Sequence, residues 1–138
     1  REESDYLPHN YDANCVVYTG THDNDTMVGW MHTAPKADVR FSRKYLNIRR
    51  AAKASWEYIR AAYLSVSALA VIPLQDFLGL GSEARINTPS TLGMNWRWRV
   101  SPGACTPELA EEIRDFTALY GRIPQPPKQK KAGSKKPD

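Results

Sequence analysis

Apolar positions along the chain fall into four blocks, separated by polar and turn-forming stretches. Residues 14–19 read N-C-V-V-Y-T, a β-branched and aromatic run that predicts a short buried strand. Gly20 ends it, and residues 21–26 (T-H-D-N-D-T) are polar, so the chain leaves the strand into a loop. Over residues 38–67 the period changes and the segment is predicted mostly helical. Ala52, Trp56, Ile59, Tyr63 and Val66 recur at steps of three and four, the stripe of a helix packed on one face. Residues 68–74 (A-L-A-V-I-P-L) form a second apolar run of strand length, followed by Gln75, Asp76 and a turn bearing Gly79 and Gly81.

Residues 82–103 lack periodicity and predict a long ordered loop whose turns come from Asn87, Pro89, Ser90, Gly93 and Asn95. The last element is a helix. Thr106 is its N-cap and Pro107 its first residue, with Glu108 second. Leu109, Ile113, Phe116 and Tyr120 make the stripe, and Gly121 suits the C-terminal cap. Pro124, Pro126 and Pro127 prevent continuation.

Strand, polar loop, helix, strand, long loop, helix is the order of parallel βαβ units, an α/β fold. Both strands run into polar loops at their C-terminal ends, which is where a barrel of such units carries its site. Two units cannot close a barrel, since a complete one takes roughly 250 residues. The 138 residues hold one domain at most and do not open with Met, so the chain is expected to be a fragment with a portion missing upstream.

Charge changes the picture little. The net charge is +4, and Lys128, Lys130, Lys131, Lys135 and Lys136 against Asp138 supply all of it from residues 124–138. Taking those from the totals of 19 basic and 15 acidic side chains leaves 14 of each over residues 1–123. The Lys/Pro-rich segment 124–138 is expected to be a disordered tail, so neither nucleic acid nor membrane is an expected partner. No apolar run reaches the ~18 residues of a membrane span. Cys15 and Cys105 make no disulfide framework and no C-x-x-C, and are expected to be reduced, buried thiols of a cytoplasmic protein.

Candidate chemistry begins at His22 and Asp23, directly after the first strand. A carboxylate there could orient a hydroxyl, bind a cation, move a proton or cap a turn, and turn chemistry is the commonest use of an Asp-Asn-Asp loop. Calcium fails on spacing: with Asp23 first, the EF-hand positions for Gly and Glu hold Val28 and Ala34. No metal is expected, because His9, His22 and His32 have no zinc-ligand spacing. There is no G-x-S-x-G elbow, and Gly79-Leu80-Gly81 lacks the further Gly and Lys of a phosphate loop. The segment 95–99 (N-W-R-W-R) offers aromatics for stacking on sugars or bases. As an extended segment it would place Trp96 and Trp98 on one face and Arg97 and Arg99 on the other. Asn95 is its candidate polar ligand contact.

Three stretches together resemble the 4-α-glucanotransferases of the amylomaltase and disproportionating-enzyme type, glycoside hydrolase family 77. They are V-V-Y-T-G-T-H-D-N-D-T at 16–26 with Gly29 and Trp30, I-P-L-Q-D-F-L-G-L-G-S-E-A-R-I-N-T-P at 72–89, and N-W-R-W-R at 95–99. The resemblance runs from about residue 12 to 122. It implies the C-terminal part of a (β/α)8 TIM barrel, with residues 15–19 and 70–74 as its seventh and eighth strands. It also implies a retaining transglycosylase without cofactor, which moves α-1,4-glucan segments to the 4-hydroxyl of an acceptor glucan. Of the family's three carboxylates only the transition-state stabiliser maps here, as Asp23. His22 maps to a sugar-contacting histidine and Asn95 to a glucan-binding asparagine. The nucleophile and the acid/base would lie upstream of Arg1, so the isolated chain is expected to be inactive. Its implied partners are α-1,4-glucans and the missing N-terminal part of the same chain. A plastid location is implied if the source is a plant or alga. Ser90 stands where the family usually has Gly, and Met27-Val28 replaces commoner small or β-branched residues. The alternative is a non-catalytic glucan-binding remnant using Trp30, Trp96 and Asn95.

Overall fold

The computed structural model describes residues 3–50 and 53–124. Two strands, β1 (Val16–Tyr18) and β2 (Leu69–Val71), pair in parallel, with Val16 opposite Leu69, Val17 opposite Ala70 and Tyr18 opposite Val71. Both apolar runs therefore become strands, as their composition predicts, and they lie side by side in one direction. Alternation along a strand sends successive side chains to opposite faces. Val17 is buried on the helical side, whereas Val16, Tyr18, Leu69 and Val71 are exposed by 43%, 49%, 55% and 41%. The sheet thus has one packed face and one apolar face that no described residue covers.

Between the strands run α1 (Met27–Thr33), α2 (Lys36–Tyr45) and α3 (Ala54–Leu64), and after β2 come α4 (Leu74–Phe77) and α5 (Pro107–Leu119). The helix expected over 38–67 is in fact two. It breaks between α2 and α3, where Asn47 and Lys53 take left-handed backbone (φ 54° and 56°) and Ile48 turns inward to burial. Val66 lies past the end of α3 and is 61% exposed, so the predicted stripe stops at Tyr63. Ala52, its first member, lies outside the described residues, as does the expected tail from 125 onward.

α1 follows from capping rather than periodicity. The Thr26 hydroxyl accepts from Gly29 N at 3.0 Å, and Pro35 follows its C-cap, Ala34. β2 ends earlier than the apolar run because Pro73 starts α4. α5 matches its sequence signals: Thr106 Oγ1 accepts from Leu109 N at 3.1 Å, and Gly121 supplies φ +66° just beyond the end.

Trp56, Ile59 and Phe77 form the buried core, with Tyr63, Ile72, Leu109, Ile113 and Phe116 packed against it. Trp56 meets Phe77 and Phe116 edge-on at 5.4 and 5.2 Å, and its indole N–H donates to Phe77 O at 3.1 Å, so the buried ring leaves no orphan donor. Arg122 closes this corner. Its guanidinium donates to the carbonyls of Ala62, Tyr63, Ser65 and Ser67, at the end of α3 and in the turn that follows it. Both cysteines are free, but burial is not their common state: Cys15 is half-buried and Cys105 exposed. No helix among the described residues is long and apolar enough to cross a membrane.

Candidate active site

The strands end at a layer of polar contacts that sequence reading left aside. Thr19, one residue past β1, donates through its hydroxyl to Asp76 Oδ2 at 2.6 Å. Asp76 Oδ1 accepts the Met27 N–H at 2.8 Å, one of the donors that the first turn of α1 leaves unpaired. Asp76 is 1% exposed, and burial raises its pKa; the hydrogen bonds from Met27 and Thr19 oppose that rise, and the charge of Asp25 adds to it. Gln75 beside it donates to Ala84 O at 3.2 Å. One carboxylate therefore joins the end of β1, the start of α1 and α4.

Above this layer lies the polar loop 20–26. Asn24 Oδ1 accepts from both Thr21 N and Thr21 Oγ1, at 2.8 and 2.9 Å, which closes the turn on itself. Asp25 takes Thr26 N on Oδ1 at 2.8 Å and Ser82 Oγ on Oδ2 at 2.7 Å, bridging to the far loop. Gly29 is required underneath, because a Cβ there would lie 2.3 Å from Asp25 Oδ1 and 2.5 Å from Ser82 Oγ. Asn24 and Asp25 thus do the turn chemistry expected of an Asp-Asn-Asp loop.

Asp23 does not. Its side chain is 48% exposed; Oδ1 accepts from Asn87 Nδ2 at 2.6 Å and lies 3.2 Å from His22 Nε2. Oδ2 has no protein partner among the described residues. The backbone beneath is pinned from the opposite loop: Arg85 Nη2 donates to Asp23 O at 2.7 Å and Asn87 N to His22 O at 3.1 Å. Arg85 and Asn87 alternate with Ile86 along 85–87, and that period of two was the sequence signal that could have marked them. Beside the pair, an open cleft of about 510 Å3 lies between the strand ends, lined by Tyr18, His22, Asp76, Arg85 and Ile86 among others. Asp23 is not part of that lining. It stands on the exposed loop next to it.

Asn95 is placed differently from expectation. Its Oδ1 accepts from Thr88 N at 2.9 Å, while Nδ2 donates to Thr91 O at 3.1 Å and Thr91 Oγ1 at 3.0 Å. The amide braces the loop 88–95 and spends its hydrogen bonds there. Nor is the next segment extended. Trp96 has φ 64°, which turns its ring onto His22 with centroids 5.1 Å apart. The structure therefore brings together His22, Asp23, Asn87 and Trp96, with Asn95 behind Trp96.

This arrangement can hold vicinal hydroxyls: an acceptor-only carboxylate with one oxygen open stands beside an imidazole able to donate. Among the described residues no group of three His, Cys, Asp or Glu side chains converges. Asp25 and Asp76 are already committed to internal donors.

Comparison with known proteins gives one answer. A family model described as 4-alpha-glucanotransferase (glycoside hydrolase family 77) matches residues 1–106. The 4-alpha-glucanotransferase of Clostridium butyricum is 48% identical over 118 residues, 85% of this chain and 24% of that protein. That of Thermus thermophilus is 44% identical over 88% of this chain and 26% of the relative, and a chloroplastic/amyloplastic 4-alpha-glucanotransferase of Solanum tuberosum is 44% identical over 88% and 22%. Among solved structures, the amylomaltase of Streptococcus agalactiae in complex with acarbose matches with a TM-score of 0.80 and 29% identity, over 86% of this chain and 24% of that one. The chain spans about a quarter of the length of the relatives it matches.

Proposed function

The chain belongs to the 4-alpha-glucanotransferases of glycoside hydrolase family 77, and on that premise we propose that it forms the C-terminal two βα units of a (β/α)8 catalytic barrel. The parallel pair β1–β2, with polar loops at both C-terminal ends, supports that placement. So does the uncovered apolar face of Val16, Tyr18, Leu69 and Val71, which in a barrel would meet the strands of the remaining chain. The partners are then the rest of the same protein and α-1,4-glucans, and the location is the cytoplasm, or a plastid in a plant or alga.

The parent protein transfers α-1,4-glucan segments to an acceptor 4-hydroxyl by a retaining mechanism. Retaining chemistry passes through an oxocarbenium-like state, in which hydrogen bonds to the sugar 2-hydroxyl strengthen. The observation that carries the reading is the open Oδ2 of Asp23 beside His22, on a loop at the C-terminal end of a parallel strand. Asp23 accepts from the sugar hydroxyls as charge develops, His22 donates to one of them, and Asn95 serves the same site through the loop that it braces.

Two measurements test this. In a complete enzyme, Asp23→Ala is expected to lower kcat about a thousandfold while KM changes little, because the lost contacts belong to the transition state. Equal losses in affinity and turnover would refute that role. The isolated 138-residue chain is expected to release no glucose from maltotriose, since Asp23 and His22 stabilise and position but supply neither nucleophile nor acid. Glucose release would place those groups within it.

A further inference from the structure

One motif is left unused by the proposed chemistry, the N-W-R-W-R segment at 95–99. Its first tryptophan holds φ 64°, a backbone conformation that L side chains rarely adopt. Such a residue persists only where its surroundings over-determine it. Here Trp96 N donates to Ile86 O at 2.7 Å, Arg99 Nη1 donates to Trp96 O at 3.4 Å, and the preceding Asn95 side chain is locked to Thr88 and Thr91. Burial of the indole does not account for this, because Trp96 is 57% exposed. What the ring touches is the His22 imidazole, at 5.1 Å between centroids and 35° between planes. His22 in turn sets Nε2 3.2 Å from Asp23 Oδ1.

We propose that Trp96 is a positioning residue for His22, its indole fixing the plane of the imidazole so that Nε2 faces Asp23 and the sugar hydroxyl that the pair would share. This rests on the reading of His22 and Asp23 as the sugar-holding pair. The need is physical. The His22 side chain is 54% exposed, and a ring on an open loop samples several rotamers unless something restrains it. A misplacement of about 1 Å at a reacting centre costs up to about a hundredfold in rate. A tilted aromatic contact supplies the restraint without consuming either imidazole nitrogen. Asn95, the left-handed turn and Trp96 then form one device that reaches from the long loop to the first loop. An exposed indole could instead stack directly on a sugar ring, but that use would act on affinity.

The test uses the complete enzyme, with kcat and KM on maltotriose and Tm measured for Trp96→Gly and Trp96→Phe. Glycine takes φ 64° without strain, so Trp96→Gly is expected to keep or raise Tm while kcat falls about ten- to a hundredfold and KM moves far less. Trp96→Phe keeps a flat ring on the imidazole and is expected to hold kcat within about threefold of wild type. Unchanged kcat in the glycine variant, a phenylalanine variant as impaired as glycine, or a raised KM with kcat intact would each overturn the proposal. The contact has its own readout in a double-variant cycle on kcat: Trp96→Gly is expected to cost far less in a His22→Ala background than in wild type, and an undiminished loss there means that the indole does not act through His22. If that coupling is present but Asp23→Ala leaves turnover intact, the proposal falls with the reading of the pair, a failure distinct from loss of the stack.

Discussion

Asp76 and Asp23 lie in neighbouring layers at the strand ends and are used in opposite ways. Asp76 is 1% exposed with both oxygens taken, by Thr19 and Met27. Asp23 has a 48% exposed side chain, one oxygen braced by Asn87 and one open. The inner carboxylate joins three elements; the outer one is presented by them. A group that must meet a ligand needs free lone pairs in a defined place, and the definition comes from a rigid layer beneath. Chemical type alone does not separate the two residues. The number of lone pairs already committed does.

Substituting each carboxylate by alanine breaks the comparison most directly. Asp23→Ala is the larger effect, about a thousandfold in kcat, and it should leave Tm nearly unchanged because an exposed side chain is lost. Asp76→Ala should reverse that signature, costing about 2–4 kcal/mol of stability as the Thr19 hydroxyl and the Met27 N–H lose their acceptors. Urea denaturation of the complete enzyme measures it, and a wild-type midpoint for Asp76→Ala would mean the inner layer is not what holds these elements. The pH dependence carries the same contrast. The Asp76 pKa is raised above 3.8, so between 3.8 and its folded value the native state binds more proton than the unfolded chain. Stability therefore falls as pH rises through that window, and Asp76→Asn should flatten this part of the slope.

The sequence made the outer layer easier to read than the inner. Strands, the final helix and the polar loop bearing His22 and Asp23 have local causes: β-branched runs, a Thr-Pro-Glu start, a Gly20 exit. The break between α2 and α3 was hidden because its cause is two left-handed residues, Asn47 and Lys53, neither of them glycine. α1 was hidden because its 7 residues are too few to show a helical period, although Thr26 caps it locally. The bracing by Asn95 was not legible, since residue type cannot show that Thr88 and Thr91 would take up its amide. Trp96 went astray for a related reason: alternation of aromatics and arginines assumes an extended backbone, and φ 64° breaks it.

Ser90 offers the finest adjustment and sharpens the role of the long loop. It holds φ 61° and is exposed, a backbone conformation that glycine adopts without strain. An L-residue in that region carries about 1–2 kcal/mol of strain, against about 0.4–1 kcal/mol gained by restricting the unfolded chain, so Ser90→Gly should stabilise by about 0.5–1 kcal/mol. Thermal unfolding of the complete enzyme checks the sign. Turnover should stay at the wild-type level, because the Asn95 amide ties Thr88 and Thr91 on either side of residue 90 and keeps the loop closed. Relief of left-handed strain would then be harmless at 90, where no ring depends on it, and costly at 96, where the indole rests on His22. A stabilised Ser90→Gly enzyme with reduced kcat would show instead that stiffness at 90 itself reaches the site, and the bracing assigned to Asn95 would have to be shared.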